Sequence, residues 1–267
     1  MALPLHCETS GAGPHVVCLH GFGLSSYSWR EVRHLLAASH TVHALDLKGF
    51  GRSPKPRDGR YSVHDQAAAV IECLDRMRLN EIVLVGHSLG GGVALVTALE
   101  LLKTRPGMLK SLILLDAASY RQPMPRFMGM MRRPITGALL LWIVPARVKT
   151  RTVLRRAYFA EARVPEASVE AYAQPLDSSG GRYALRQTAK QIVPDDLDDI
   201  CARYSTIQVP TLIIWGAHDR IVPVAFGERL RGAIPGARLV VIPEAGHMPH
   251  EESPGAVGRA IAEFLSI

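Results

Sequence analysis

Residues 81–92 read EIVLVGHSLGGG, and this stretch decides how the rest of the chain is arranged. Residues 82–85 form a short apolar run rich in β-branched side chains, which is typical of a buried strand. An apolar pattern with helical spacing follows over residues 93–102. We therefore predict a strand, a sharp turn centred on Ser88 and then a helix.

The glycines on either side of this turn have a steric role. Gly86 and Gly90 each lie two positions from Ser88. A strand that reverses into a helix within a few residues forces the middle residue into a strained backbone, and side chains at the two flanking positions would collide. The Ser88 hydroxyl is then expected at the tip of the turn, where the N-terminus of the helix directs its N–H groups.

Length and composition restrict the class of protein. With 267 residues and 48% hydrophobic residues, one large domain or one domain with a lid is expected. The four cysteines are far apart and include no Cys-x-x-Cys pair, so we predict free thiols in a reducing compartment. The chain opens without a signal-peptide pattern, and its apolar runs are shorter than the roughly 18 residues of a membrane span, which favours a cytoplasmic location.

Strands alternate with helices along the chain. The predicted strands are residues 3–8, 15–19, 41–45, 82–85, 109–115, 211–215 and 238–242. This alternation predicts an α/β fold with a mostly parallel sheet covered by helices on both faces. Because the alternation stops at about Ser119 and resumes at Pro210, we predict a core domain of residues 1–118 and 206–267 and a helical cap of residues 119–205.

The polar loops of the chain follow the predicted strands, where open parallel sheets bind their ligands. These loops are residues 20–23, 46–53, 87–89, 218–219 and His247. Serine is a poor nucleophile unless a base takes its proton, and that base needs an orienting acid. After the strand-to-helix turn that carries Ser88, the loops that follow the last two strands supply Asp219 and His247 as candidates for that acid and that base.

The order Ser88, Asp219, His247 on successive strand ends resembles the α/β-hydrolase fold superfamily, and in particular its serine esterases and lipases with a helical cap. The matching pieces are residues 20–23, 46–53, 86–90, 216–219 and 246–247. Five pieces in the same order and spacing are far more specific than Gly-x-Ser-x-Gly alone, which would occur by chance roughly one time in ten. The resemblance extends over nearly the whole chain.

The resemblance also implies a chemistry. Ser88 would attack a carbonyl carbon, and the backbone N–H groups of Phe22 and Leu89 would form the oxyanion hole. Relatives that cleave carbon–halogen bonds or epoxides have a carboxylate where this chain has Ser88, so an acyl-enzyme is expected here. The expected substrate is a carboxylic ester of small to medium size with an apolar acyl part.

Several alternatives stay open at this stage. Asp116 also ends a predicted strand and could replace Asp219 as the acid. His247 and His250 have the spacing of a metal-ligand pair, but a third cluster of ligands is missing from the sequence, so we predict no metal. There is neither a G-x-G-x-x-G motif after a strand nor a Walker P-loop, and we predict no cofactor.

Other reactions and roles would use the same residues. A C–C bond hydrolase acting on a diketone, a thioesterase or a lactonase needs the same triad. Met248 follows His247 where the C–C bond hydrolases usually have a tryptophan, which disfavours that reaction without excluding it. A hydrolase-like ligand-binding receptor would also keep the three triad residues.

The predicted cap combines an apolar run with a strong positive charge. Residues 135–144 read ITGALLLWIV, and residues 119–165 contain ten Arg or Lys against one acidic residue, Glu161. The simplest interpretation is a helical cap whose apolar face packs on the end of the sheet while its arginines are solvated. The same cap could hold an apolar pocket above Ser88, and we favour this pocket over a docking role for the basic residues. The predicted lining of the pocket is Phe127, Met128, Met131 and Trp142.

The basic residues of the cap leave a second possibility. A patch that contacts a membrane surface or an acidic partner would explain the same charge, and we regard it as the less favoured reading. Nucleic acid is not expected, because the basic residues are not interleaved with exposed aromatic residues and nucleic-acid motifs are lacking. The expected partner is a small-molecule ester, and the oligomeric state stays open.

Overall fold

The structure is a computed structural model that describes residues 3–124 and 126–266, without the side chains of residues 126, 127, 134, 135, 138, 140 and 162. Within these residues, seven strands form one sheet. The strands are β1 Cys7–Ser10, β2 His15–Leu19, β3 Thr41–Leu45, β4 Ile82–His87, β5 Leu109–Leu115, β6 Thr211–Gly216 and β7 Arg238–Ile242. Their order is β1-β3-β2-β4-β5-β6-β7, and β1 alone runs antiparallel to its neighbour.

Twelve α-helices accompany the strands in the described residues. They are α1 Arg30–Leu36, α2 Val63–Arg76, α3 Leu89–Thr104, α4 Arg126–Arg132, α5 Pro134–Ile143, α6 Ala146–Ala157, α7 Glu166–Ala173, α8 Ser179–Gln191, α9 Leu197–Ala202, α10 Ala225–Ala233, α11 Pro249–Glu252 and α12 Pro254–Leu265. Short 3₁₀ turns occupy Ser26–Trp29, Glu161–Arg163, Gln174–Asp177 and Arg203–Thr206. In this part of the chain, every helix falls short of the length and apolar character needed to cross a membrane.

The central strands are buried because helices cover both faces of the sheet. Along β5, Leu112 and Leu114 pack into one core together with side chains of α2 and α3. The alternate residues Ile113 and Leu115 pack into a second core with α1 and α12. This alternation follows from the period of two residues in a strand. The predicted α/β-hydrolase fold, with a mostly parallel sheet flanked by helices, is confirmed.

The register of the parallel strands aligns their carboxyl ends at one edge. Leu19 of β2 lies opposite Gly86 of β4, and His87 of β4 lies opposite Leu115 of β5. Gly216 of β6 lies opposite Ile242 of β7. The loops that follow these strands are therefore neighbours, although they are far apart in the sequence.

The first strand was predicted at residues 3–8 and lies instead at Cys7–Ser10. It is an edge strand that pairs with β3, from Cys7 opposite Leu45 to Ser10 opposite Val42. Most of its side chains are only half-buried and its middle is polar, so it lacks the apolar run by which the other strands are recognised.

Helices α4 to α9 lie between β5 and β6 and form the helical insert, residues 119–205. The insert lies against the loop that carries His247, because the His247 N–H donates to the carbonyl oxygen of Ala157 at 2.7 Å. The Phe159 N–H donates to a carboxylate oxygen of Glu252 at 2.6 Å. Its assignment as a separate cap domain with these boundaries stays a prediction.

Candidate active site

Ser88 occupies a strained turn between β4 and α3. Its backbone angles are φ 53° and ψ −118°, which a non-glycine residue adopts only at a strain of about 1–3 kcal/mol. A Cβ atom on Gly86 would collide with the carbonyl oxygen of Gly90, and one on Gly90 would collide with that of Leu19. Close backbone contact therefore requires glycine on both sides of Ser88.

The three residues predicted as a triad meet at the carboxyl edge of the sheet. His247 Nε2 lies 2.8 Å from Ser88 Oγ, and His247 Nδ1 lies 2.7 Å from Asp219 Oδ2. Since an ionised carboxylate only accepts hydrogen bonds, Nδ1 carries the ring proton and Nε2 is left to accept the serine proton.

Two backbone N–H groups fix the carboxylate of Asp219. Its Oδ1 accepts from Ile221 at 2.7 Å and from Val222 at 2.9 Å, while its Oδ2 binds the imidazole. The side chain is buried, so these hydrogen bonds replace water around the charge. Asp219 is thus held in one orientation towards the ring of His247.

Asp116 lies next to this group but is not bound to the histidine. It is fully buried at φ 44°, and its Oδ1 accepts from the Gly216 N–H at 3.0 Å. Burial and the neighbouring Asp219 carboxylate raise the pKa of Asp116 well above its usual value. The raised pKa of Asp116, and the hydrogen bond of His247 to Asp219 instead, favour Asp219 as the orienting acid.

The described residues contain one group whose ligand atoms could surround a metal ion, formed by Asp116, Asp219 and His247 within 4.8 Å of one another. Both ring nitrogens of His247 already hydrogen bond, so a metal would have to displace Ser88 or Asp219. His250 is not part of this group. The centroid of its ring lies 4.7 Å from that of Trp29 and 4.4 Å from that of His87. The prediction of a metal-free site stays a prediction.

The loop with the predicted oxyanion donor lies against the nucleophile. A Cβ atom on Gly21 would stand 2.9 Å from His87 Nδ1 and 3.2 Å from Ser88 Cβ. Among the described hydrogen bonds, none uses the N–H of Phe22 or the N–H of Leu89, the first residue of α3. Both donors are available to a ligand, and their role as an oxyanion hole stays a prediction.

Two buried histidines hold the loops around Ser88. His20 Nε2 accepts from the Leu47 N–H at 3.0 Å, so Nδ1 carries the proton that is donated to the Gly21 carbonyl at 2.8 Å. Burial lowers the pKa of His20, which keeps the ring neutral. His87 Nε2 donates to the carbonyl oxygen of His247 at 2.7 Å. The hydrogen bonds of both side chains go to backbone groups, so these histidines hold the loops around Ser88 in position.

Two glutamates that the sequence interpretation missed connect the loop that carries His247 to the insert. The Glu251 carboxylate is fully buried and accepts hydrogen bonds from four side chains. The donors are Arg30 at 2.9 Å, Tyr158 at 3.0 Å, Ser168 at 3.0 Å and Tyr172 at 2.5 Å.

The neighbouring Glu252 binds backbone instead. It accepts from the N–H groups of Gly246 at 2.8 Å, Met248 at 3.3 Å and Phe159 at 2.6 Å. The one available signal was an acidic pair shortly after His247. Charged residues are mostly exposed, so that signal predicts a solvated surface and not a buried anchor.

An apolar cavity of about 280 Å³ lies between the insert and residues 22–24. Phe22 forms part of its wall, and the insert contributes Met131, Leu141, Leu154 and Leu185. The loop of residues 20–23, which contains Phe22, is called the oxyanion loop after its predicted role. Ser88 and His247 are not part of this wall. The cavity therefore reaches the active site at the oxyanion loop.

The four residues predicted to line a substrate pocket have different positions. Met131 lines the cavity, whereas Met128 is buried and lines a separate pocket beside α9. Trp142 is 80% exposed, which corrects its expected place in the pocket. Successive helical residues point about 100° apart, so Leu141 faces the cavity while Trp142 faces solvent. The side chain of Phe127 lies outside the described residues.

Comparison with known proteins identifies the family. The model of the alpha/beta hydrolase fold family matches residues 14–254. Because this match covers most of the chain, the protein belongs to the alpha/beta hydrolase fold family.

Relatives of this chain differ in the reactions that their names state. The chain is 29% identical to an uncharacterized hydrolase, YugF, of Bacillus subtilis, over 94% of this chain and 89% of that protein. It is 27% identical to the 2-hydroxy-6-oxononadienedioate/2-hydroxy-6-oxononatrienedioate hydrolase of Cupriavidus pinatubonensis, over 98% and 90% of the two chains. The solved structure of a thermophilic esterase from Thermogutta terrifontis is similar with a TM-score of 0.80 and 28% identity, over 98% and 93%.

Proposed function

We propose that this protein is a serine hydrolase that cleaves carboxylic esters of small to medium size with an apolar acyl part. The observation that carries the proposal is the hydrogen-bonded series Ser88 Oγ, His247 Nε2, His247 Nδ1 and Asp219 Oδ2. Its geometry leaves the imidazole nitrogen next to Ser88 free to accept a proton, as a nucleophilic serine requires.

The reaction would proceed in two halves. Ser88 Oγ attacks the ester carbonyl while its proton moves to His247 Nε2, and Asp219 stabilises the imidazolium. The N–H groups of Phe22 and Leu89 stabilise the oxyanion of the tetrahedral intermediate. Its collapse breaks the C–O bond, and the leaving alcohol takes the proton from Nε2. A water molecule, deprotonated by His247, then attacks the acyl-enzyme and releases the acid.

The cavity supports the substrate class. Its volume of about 280 Å³ is just below the roughly 300–1,000 Å³ found for ligand pockets, which favours a substrate of small to medium size. Its wall is apolar, and the ammonium of Lys149 at its edge donates to the carbonyl oxygen of Leu141 at 2.9 Å. An uncharged apolar group of moderate size would therefore fit beside the oxyanion loop.

Cleavage of a C–C bond in a diketone is the second candidate, favoured by the similarity to the hydrolase of Cupriavidus pinatubonensis. The name of that relative states a dioate, whose carboxylates need cationic partners. In the described wall of the cavity, Lys149 is the one cation, and it already binds backbone. The apolar wall thus favours ester hydrolysis for this chain.

The nucleophile is tested with Ser88→Ala and a panel of p-nitrophenyl esters, thioesters, lactones, amides and diketones. We expect ester turnover to fall to background in the variant, with the circular dichroism spectrum unchanged. A fluorophosphonate should label the wild-type chain once, on Ser88. An active variant, or labelling at another residue, would reject the serine mechanism. A protein that binds esters without turnover would be a receptor.

The substrate pocket is tested separately with Val153→Phe, which places a larger side chain in the cavity wall. We expect the preference for longer acyl chains over acetate to fall by about tenfold or more, because pocket contacts contribute roughly 1–3 kcal/mol of discrimination. The exposed Trp142→Ala is the matched control and should leave this preference unchanged. An unchanged preference in Val153→Phe would place the acyl group elsewhere.

A further inference from the structure

Large apolar side chains are exposed in one part of the insert. They form the apolar ridge, which consists of Met130, Leu139, Trp142, Ile143 and Val148. Their exposed fractions run from 45% for Met130 to 80% for Trp142. In the described residues, just two other large apolar side chains, Leu35 and Val241, are comparably exposed. A cluster of exposed apolar side chains of this kind marks a surface that binds a partner molecule or a membrane.

The sequence of α5 explains why the ridge exists. Thr136 is the single polar residue of this helix, so α5 is apolar on all sides and needs cover on all sides. Leu141 is buried and faces the cavity. Leu139, Trp142 and Ile143 have i, i+3 and i+4 spacing, which places them together on the opposite side. The molecule itself covers one side of α5 and leaves the other uncovered.

The ridge borders the entrance of the apolar cavity. Met130 and Val148 line the cavity and are also about half exposed, so they lie at its mouth. Trp142 and Ile143 directly follow the cavity-lining Leu141 in the same helix. A partner molecule or a membrane that covers the ridge would therefore lie at the opening through which an apolar substrate enters.

The charge beside the ridge is positive. Arg132 and Arg133 join α4 to α5 and are exposed. In the described residues, ion pairs of the insert link Arg147 and Arg151 to glutamates of α7, whereas Arg132 and Arg133 have no carboxylate within ion-pairing distance. An apolar ridge with unpaired arginines beside it matches a bilayer, whose headgroups are charged and whose interior is apolar.

We infer that the apolar ridge docks on an anionic lipid surface, with Trp142 and Ile143 inserted among the lipids and Arg132 and Arg133 against the headgroups. A second copy of this chain is a poorer occupant. Residues 119–165 carry ten basic residues and one acid, so two such segments would repel each other. The docking follows from this surface alone and goes beyond the proposed ester hydrolysis, to which it would supply substrates dissolved in the bilayer.

Tryptophan fluorescence provides a direct test. Trp29 and Trp215 are fully buried, so Trp142 is the tryptophan whose surroundings would change on docking. We expect a blue shift of the emission with vesicles of equal parts phosphatidylcholine and phosphatidylglycerol, and flotation of the protein with them. Vesicles of phosphatidylcholine alone should give neither effect, and added salt should weaken both.

Apolar variants test the inserted residues. Trp142→Ser combined with Ile143→Ser should lower vesicle flotation by roughly tenfold or more, because both side chains leave the lipid. Leu35→Ser is the matched control, since Leu35 is an exposed leucine on α1, outside the insert. This control should float like the wild type. Flotation that survives the double substitution would overturn the inference.

Charge variants test the headgroup contact. Arg132→Glu with Arg133→Glu should lower flotation with the anionic vesicles by roughly tenfold or more. Arg231→Glu with Arg238→Glu makes the same change of charge at two exposed positions of the core and should have little effect. If both double variants lost flotation equally, the attraction would depend on the net charge of the protein. That result would overturn the assignment of the apolar ridge as the docking surface.

Two further results would also overturn the inference. The first is equal flotation with neutral and anionic vesicles. The second is a concentration-dependent dimer that the Trp142→Ser variant cannot form, because the ridge would then be covered by a second copy. Ser88→Ala should float like the wild type, so failure of docking and failure of the serine mechanism are separate outcomes.

Discussion

At the scale of single residues, the surroundings of two aspartates separate their roles. Asp219 receives two backbone N–H groups and the imidazole, whereas Asp116 receives one backbone N–H. Burial and the neighbouring Asp219 raise the pKa of Asp116, which disfavours its charged form. Of the two carboxyl groups, Asp219 is the one that hydrogen bonds to the imidazole of His247.

Substitution by asparagine should distinguish the two aspartates. Asp219→Asn removes the charge that selects the His247 tautomer, and we expect kcat to fall by up to about 10⁴-fold. Asp116→Asn keeps an oxygen for the Gly216 N–H and leaves the hydrogen bond between Asp219 and His247 in place, so the loss should stay below about tenfold. The measurement is kcat on a p-nitrophenyl ester. A larger loss of kcat in Asp116→Asn than in Asp219→Asn would show that Asp116, which follows β5, is the orienting acid.

The candidate triad could be predicted from the sequence because each member directly follows a strand at the same edge. Asp116 has that property too, so sequence position alone left two possible acids. The choice depends on which carboxylate receives the backbone N–H groups of Ile221 and Val222. That information is three-dimensional, because it depends on how the loop after β6 turns.

At the scale of elements, the short helix α11 connects the loop that carries His247 to the insert. Its Glu251 binds Arg30 of the core together with Tyr158, Ser168 and Tyr172 of the insert. Because this helix begins two residues after His247, the same contacts that hold the insert also hold His247, the proposed base, in place.

Neutralising Glu251 should loosen the insert. In Glu251→Gln, Arg30 loses its buried anionic partner, and we expect the free energy of unfolding to fall by about 3 kcal/mol. Trypsin should then cut more quickly within residues 119–165, where basic residues are frequent. Glu244→Gln, at an exposed position in the same loop, is the control. Equal urea midpoints for the two variants would contradict the anchoring role.

The bounds of a strand were predicted correctly where its apolar pattern was unambiguous. Strands β2, β3, β5 and β7 have the predicted bounds, because each is a short apolar run between turns. Helix α5 shows the limit of such patterns. A helix that is apolar on all sides carries no periodicity, so the sequence could not tell that Leu141 faces the cavity and Trp142 faces solvent.

At the scale of the whole molecule, buried neutral histidines make stability depend on pH. Burial, with the nearby His247 and Arg30, lowers the pKa of His250 from 6.5 to about 3. Burial and the neighbouring histidines also lower the pKa of His87 well below its usual value. The folded protein keeps both rings neutral, while the unfolded chain takes up protons below about pH 6.5.

The free energy of unfolding should therefore fall as the pH drops below about 6.5, since the unfolded state binds more protons there. Between about pH 7 and pH 5 we expect His250 to contribute a loss of about 2 kcal/mol, and His87 to add to the loss in the same direction. Urea unfolding at both pH values measures the difference. His250→Leu should reduce it by about that amount, whereas the exposed His34→Leu should not. If the free energy of unfolding changed equally with pH in the wild type, His250→Leu and His34→Leu, the buried histidine would not be the origin of the acid sensitivity.

The position of the insert has a consequence for synthesis of the chain. Strands β5 and β6 are partners in the sheet, but residues 116–210 lie between them. A ribosome that adds about 5–20 residues per second needs roughly 5–20 s to make this stretch. Throughout that time, the nascent β5 has no β6 to pair with, and its row of N–H and C=O groups is a template for foreign strands. The length of the insert thus sets how long the growing chain needs protection by chaperones.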